Sequence, residues 1–409
     1  MTAKNNKIIL IGIVTGFILG IVGGVINGPF MLNFSWMGEI FLSALKMLIV
    51  PLIMLSMISG VTSLGNIRKV GAFGGKTVLY YTATTALALI VGLILVNIIQ
   101  PGTAGFSTGN EIPDIIAAKK EISISDVLMR FISPNIFESM VKPDLLPLIL
   151  FSLVFGGVLS TMEEKAGPVI EIVNTLNAAV LKIIQLILWL TPFGVFGLIA
   201  KQFGEMGSEE LYSMLLQILS YVFTVLLGLA IHAFVVLPAI LYFFTKRNPF
   251  VFARNTLVAL FTAFSTASSS ATLPLTIECS EKENGVSPKA AGFVLPLGAT
   301  INMDGTALYE AVAALFIAQV YGLDLSLAQQ ALIFLTATLA SIGAAGIPQA
   351  GLFTMTIVLT AVGLPLEGTA LLLPIDPFLD RFRTTVNVWG DSVGAAVMEG
   401  QLEPKGENS

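Results

Sequence analysis

Charge is scarce in this chain. Only 11% of its 409 residues are Asp, Glu, Lys or Arg, against roughly a quarter in a soluble domain. The single cysteine, Cys279, excludes an intramolecular disulfide, and the single histidine, His232, excludes a metal cluster built from several histidines. No basic stripe is present to follow a phosphate backbone, so nucleic acid is excluded as a partner. The net charge of −5 is spread over loops and tails and points to no charged partner.

Apolar sequence is abundant instead, at 55% of the chain. Runs of 18 or more apolar residues recur from Lys7 onward, each able to cross a hydrocarbon layer of about 30 Å. The run from Ile8 to about Ile26 is too long for a signal-peptide core, and no convincing cleavage site follows it. It reads as the first membrane span, with Gly12, Gly16, Gly20 and Gly24 at a spacing that permits close helix packing. Further spans read as Phe41 to Leu64, Thr77 to Ile99, Leu145 to Met162, Val169 to Leu190 and Leu211 to Phe244. Pro51 lies inside the second of these, and Pro192 breaks the helix that starts at Val169. The segment 101–126 is polar and reads as an extracellular loop. Lys4, Lys7, Arg68, Lys69, Lys76, Lys246, Arg247 and Arg254 all fall on one side of the alternating spans, which places the N-terminus in the cytoplasm. His232, within an apolar span, reads as a packed and hydrogen-bonded side chain.

The C-terminal part has a different texture. Ser265 to Pro274 and Ser341 to Pro348 are small-residue stretches ending in proline, each between apolar arms too short to span. That pattern suits re-entrant helical hairpins, whose non-helical tips survive only where protein or a wet cavity surrounds them. Two such hairpins in corresponding positions point to the inverted repeats and midplane site of a secondary transporter. Between them, Gly298 to Thr306 (GATINMDGT) predicts an unwound helix whose carbonyls face a ligand. Hard cations such as sodium require several oxygen ligands, which carbonyls, Asn302 and Asp304 can supply. Tyr80 to Thr85 adds a hydroxyl-rich start to the third span, with packing bonds to the preceding turn as its plain reading and an ion site as the sharper one. Thr306 and Glu310 share a helix face. Burial at membrane depth disfavours a charged carboxylate, which makes Glu310 a proton-carrier candidate.

From Pro374 to Glu399 an otherwise apolar, helix-length segment carries Asp376, Asp380, Arg381, Arg383 and Asp391. At about 100° per residue, Asp376, Asp380, Arg383, Thr384, Asn387 and Asp391 fall in one sector about 100° wide. Arg381 flanks that sector and Trp389 points nearly opposite. Ionisable groups in a membrane helix are costly and usually line a site or pathway.

Four of these motifs, SSSATLPLT (Ser268 to Thr276), GATINMDGTALYE (Gly298 to Glu310), ASIGAAGIPQAG (Ala340 to Gly351) and LDRFRTTVNVWGD (Leu379 to Asp391), carry a resemblance. In order and separation they resemble the glutamate transporter family: the excitatory amino acid transporters and their prokaryotic glutamate/aspartate symporter homologues, or dicarboxylate/amino acid:cation symporters. The resemblance implies an all-α polytopic membrane protein with eight spans, two re-entrant hairpins and inverted repeats. It implies a homotrimer in the plasma (inner) membrane, both termini cytoplasmic, working as an elevator and not as an enzyme. Residues 1–70 and 127–205 would form the scaffold and trimer contact. Residues 71–100 and 206–409 would form the transport domain, with hairpins at about 249–283 and 325–366, span 7 at about 288–322 and span 8 at about 367–399.

Residue roles follow from the same resemblance. Asp380 would bind the substrate amino group, Arg383 its side-chain carboxylate, and Asn387 with Thr384 its main-chain carboxylate. Ser268, Ser269 and Ser270, Thr306, and Ile347 to Gly351 would enclose it. One sodium site would use Gly298, Asn302, Asn387 and Asp391. A second would use Thr300, Ser341, Ile342 and Ala344 near Met303, and a third Tyr81, Thr84, Thr85, Asn302 and Asp304. Glu310 would carry a proton, and Arg381 with Ser268 matches the animal arrangement, implying sodium and proton symport with potassium counter-transport. No bound cofactor is implied; the ions are cargo, as is L-glutamate or L-aspartate. An ion channel, an intramembrane aspartyl protease using Asp304 and Asp391, and a dicarboxylate or neutral amino acid carrier of the same fold are the alternatives. The enclosed, charged pocket disfavours a channel, the many amide and hydroxyl partners disfavour a protease, and Arg383 and Asp380 together favour an acidic amino acid.

Overall fold

A computed structural model describes residues 3–63, 67–103, 129, 131–204, 208–342 and 350–401. Ala344 and Ile347, and most of the loop 101–126, lie outside these residues. Among the described residues the chain is helical, without strands. Five described segments are long and apolar enough to cross a membrane: Ile8–Ser63, Phe73–Ile99, Glu164–Gly204, Tyr212–Thr245 and Pro288–Val320. The architecture is that of a polytopic membrane protein.

Helices α1 (Ala3–Met31) and α2 (Ser35–Ser63) pack with α5 (Leu145–Thr161), α6 (Gly167–Ile187) and α7 (Thr191–Gly204), while α4 (Ile136–Val141) leads into α5. The glycine spacing in α1 has the use expected of it. A Cβ on Gly16 would lie 2.5 Å from the Pro192 carbonyl oxygen of α7, so only glycine lets the two backbones close to this distance. Pro192 itself marks the break read from the sequence, where a short 3₁₀ turn at Leu188–Leu190 separates α6 from α7.

A second group of helices surrounds α13 (Asp304–Val320), which is buried on nearly every side and is lined by small residues such as Ala311, Ala313 and Ala314. A helix buried all round carries no polar face to solvent, so its Asp304, Thr306 and Glu310 must face protein. Around it stand α3 (Ile67–Ile99), α8 (Ser208–Ile231), α14 (Leu327–Ile342), α15 (Ala350–Val362) and α16 (Asp376–Glu399). Helix α8 continues through a π-helical turn, His232–Val236, into α9 (Leu237–Thr245).

Next come α10 (Pro249–Thr266) and α11 (Ser269–Glu278), two short helices packed on each other and on α16. Asn248 caps α10 by accepting from the amides of Phe250 and Val251, and Pro249 supplies a first-turn residue that needs no N–H partner. Ala267 turns the chain in the left-handed region at φ +50, and Ser268 caps α11 through the Ala271 amide at 3.2 Å. Helix α12 (Pro288–Ile301), capped by Ser287, leads directly to α13. Unwinding was expected across Gly298 to Thr306; the observed interruption is narrower, at Asn302 and Met303 alone.

Candidate functional site

Helix α16 runs past the interruption between α12 and α13, and its polar sector is buried as a unit: Asp376, Asp380, Arg383, Thr384, Asn387 and Asp391 are each at most 5% exposed. Arg383, with no exposed surface, is the centre of one end. Its Nη2 donates to Asp380 Oδ1 at 2.8 Å, and its Nη1 ion-pairs with Asp376 Oδ1 at 2.9 Å. The Tyr309 ring of α13 lies beneath the guanidinium, 3.9 Å from ring centroid to Cζ, a cation–π contact that gains strength where water is excluded. Gly351, the second residue of α15, approaches from the other side; a Cβ there would sit 2.8 Å from Nη1. A buried guanidinium with carboxylate partners remains a fork for planar anions. A ligand carboxylate that took Asp380's place on Arg383 would free Asp380 for a cationic group on the same ligand.

Midway along α16, Asn387 holds the helix interruption together. Its Oδ1 accepts the Gly305 amide at 2.8 Å, and its Nδ2 reaches Thr306 Oγ1 at 3.3 Å and the Met303 sulfur at 3.2 Å. Helix α13 is thus capped from a neighbouring helix rather than by its own N-cap residue, which makes no side-chain cap bond. One turn on, Asp391 Oδ1 accepts from Asn302 Nδ2 at 3.0 Å. Gly298 makes room for this carboxylate, since any side chain there would collide with it.

A second carboxylate centre faces α3. Asp304 Oδ1 accepts from Thr85 Oγ1 at 2.7 Å and from Thr84 Oγ1 at 3.3 Å; Thr84 also reaches Asn302 Oδ1 at 3.3 Å. Tyr81 donates to the Val294 carbonyl at 2.8 Å, tying α3 to α12 beside them. Hydroxyl, amide and carboxylate oxygens grouped in this way suit a hard monovalent or divalent cation. No group of three or more His, Cys, Asp or Glu side chains that could hold a softer metal occurs among the described residues.

Other expected ligands are placed as follows. Ser341, buried on α14, donates to the Thr338 carbonyl at 2.8 Å, and Thr300 donates to Leu297 O at 2.9 Å; each hydroxyl is satisfied within its own helix, leaving backbone carbonyls for any ion. Ile342 ends α14, which touches α12. Ser269 is buried and Ser270 exposed at the start of α11, while Ser268 spends its hydroxyl on the cap. Glu310 is wholly buried on α13, with Thr354 of α15 and Arg383 as polar neighbours. Arg381 donates through Nη1 to the Phe264 and Ser265 carbonyls at 3.1 and 3.0 Å, closing the C-terminal end of α10.

Residues 7–401 match the family model described as the sodium:dicarboxylate symporter family. Excitatory amino acid transporter 3 of Mus musculus is 41% identical, covering 96% of this chain and 85% of the relative. Excitatory amino acid transporter 1 of Ambystoma tigrinum is 39% identical, covering 97% and 83%. A putative sodium-dependent excitatory amino acid transporter, glt-4, of Caenorhabditis elegans is 41% identical, covering 88% and 81%. The chain belongs to the sodium:dicarboxylate symporter family.

Three groups in this symporter's core escape the sequence reading as site residues. Asp376 was legible as part of the polar sector, yet only the fold makes it Arg383's second carboxylate. Tyr309, next to Glu310, gave no signal of its own because an aromatic in an apolar helix reads as core. His232 is packed and hydrogen-bonded as expected, but its partner is Asp304, with Nε2 to Oδ2 at 3.0 Å.

Proposed function

We propose that this chain is a secondary active transporter taking up acidic amino acids, L-glutamate or L-aspartate, by sodium symport. The observation that carries the reading is the buried Arg383, gripped by Asp376 and Asp380 on one helix that also presents Asn387 and Asp391 to the α12–α13 interruption. Substrate and cation ligands thus share a backbone, so occupancy of one alters the field at the other. Arg383 receives the side-chain carboxylate, Asp380 the amino group, and Asn387 with Thr384 the main-chain carboxylate. Ser268, Ser269, Ser270, Thr306 and Ile347 to Gly351 enclose the amino acid. Sodium is held at the three sites expected from the sequence, and Glu310 carries a co-transported proton; potassium returns in exchange.

In this reading α10–α11 and α14–α15 are re-entrant hairpins beside eight spans, the second acting as the gate. Residues 1–70 and 127–205 form the fixed scaffold of a homotrimer in the plasma membrane, both termini cytoplasmic, and the rest moves as an elevator. The family's own description leaves a dicarboxylate carrier as the runner-up. Asp380 argues against it, because a dicarboxylate brings no ammonium to replace Arg383 as its partner.

Uptake of labelled glutamate, aspartate and succinate into proteoliposomes, with sodium, pH and internal potassium varied independently, tests the proposal. The expected result is sodium-dependent uptake of the two amino acids and little of succinate. Equal uptake without a sodium gradient, or a preference for succinate, would overturn it.

A further inference from the structure

His232 has no role in the proposed cycle, yet the fold makes specific provision for it. The helix that begins as α8 changes register at this residue: the Leu237 amide reaches back five residues to the His232 carbonyl, closing a π-helical turn over His232–Val236. Pro238 follows, and having no N–H it could not have continued the α-helical bonding pattern to Phe234. Single π turns widen a helix and re-aim the side chains on it. This one is clamped from α16, where Trp389 Nε1 donates to the Ala233 carbonyl at 3.0 Å. Trp389 therefore faces away from the polar sector in order to hold the π turn against the same helix that presents Asn387 and Asp391.

The side chain so aimed is wholly buried, and its Nε2 meets Asp304 Oδ2 at 3.0 Å. Nδ1 makes no hydrogen bond, so the imidazole is anchored through Asp304 alone. The division of labour at that carboxylate is sharp. Thr84 and Thr85 of α3 bond Oδ1, and the histidine bonds Oδ2. A carboxylate free to rotate about its last torsion would offer either oxygen in many directions; one fixed at both oxygens presents its remaining lone pairs in set directions. Groups behind a ligand that fix its orientation in this way commonly contribute 10–100-fold, by order of magnitude, to metal affinity.

We infer that His232 is a positioning residue for the sodium ion held by Tyr81, Thr84, Thr85, Asn302 and Asp304, and that the π turn exists to deliver its Nε2–H to Asp304 Oδ2. The inference rests on the sodium-site reading above. It requires only a hydrogen on Nε2, which the ring carries in either charge state when Asp304 is the acceptor.

The test is sodium binding to the purified full-length protein in detergent without amino acid, read as the rise in melting temperature against sodium concentration. Asp304→Asn reports on the site itself. His232→Leu removes the donor, His232→Gln places an amide nitrogen near the Nε2 position, and His232→Asn places one near Nδ1 instead. His232→Leu and His232→Asn should raise the half-maximal sodium concentration by about tenfold or more, and His232→Gln should stay within about threefold of the parent. Should His232→Leu not fold, the Gln and Asn variants decide between them. A response within about twofold for Leu or Asn, or a Gln variant as impaired as Asn, would overturn the positioning role while leaving the site intact. A parent-like response in Asp304→Asn instead removes the cation site, and the inference with it.

Discussion

Arg383 shows how a single residue sets what the pocket can accept. Its charge is fully withdrawn from water and satisfied by Asp376, Asp380 and the Tyr309 face. Removing one member of a buried ion pair typically costs about 3–5 kcal/mol, because the survivor is left uncompensated. Arg383→Thr should therefore lose glutamate and aspartate uptake and admit neutral amino acids, measured by competition in proteoliposomes; normal glutamate affinity would exclude Arg383 from the site. For Asp376→Asn the expectation is milder, since Asp380 remains. Apparent glutamate affinity should fall about tenfold, equal to about 1.4 kcal/mol, with the protein still folded by thermal melt. Glu310→Gln should abolish the pH dependence of net uptake while leaving amino acid exchange; unchanged pH dependence would remove Glu310 from proton coupling.

Elements differ in how far the sequence announces them. The α10–α11 break was legible as a small-residue stretch between two short apolar arms, whereas the caps that set it, Asn248-Pro249 and Ser268, are local signals that went unread. The α12–α13 interruption was legible in place but not in extent. Gly298 and Gly305 resemble helix breakers in sequence, whereas the fold uses Gly298 to admit the Asp391 carboxylate and Gly305 to approach the Arg383 backbone, both from within helix. The π turn could not be read, since a proline six residues after a histidine fits an ordinary kink equally well. The polar sector of α16 was legible because helical periodicity is strict, but pairings across helices are not periodic, so His232 with Asp304 had to come from the fold. At this scale the α1–α7 seam makes a clear prediction. Gly16→Leu should destabilise by about 1–3 kcal/mol through overpacking, seen as a lower melting temperature, with substrate affinity unchanged in whatever folds.

At the scale of the molecule, among the described residues few polar contacts join the α1–α2 and α5–α7 group to the helices around α13. One ion pair does: Lys46 of α2 lies 3.7 Å from Glu367 in the turn before α16. Both side chains are about half exposed, so the pair contributes about 0–1 kcal/mol at most and would yield readily if the two groups slide. Lys46→Met should accordingly leave the melting temperature almost unchanged. With Cys279→Ser as background, cysteines at 46 and 367 joined by a reducible bifunctional reagent should halt uptake until the bridge is cleaved. Uptake through the bridged protein would exclude a sliding elevator.

The core helices bury four aspartates and one guanidinium: Asp376 and Asp380 flank Arg383, while Asp304 and Asp391 lie at the α12–α13 interruption. Formal negative charge thus outweighs positive in a region with little water to screen it. An amino acid with two carboxylates and one ammonium deepens that imbalance, and carrying an imbalance through hydrocarbon is steeply unfavourable. In the proposed cycle, inward passage would therefore recruit cations to offset both the amino acid's net charge and the carboxylates of the core. The same proposal gives the homeward stroke a borrowed cation, since the core carboxylates would return without their passenger but still in need of a partner.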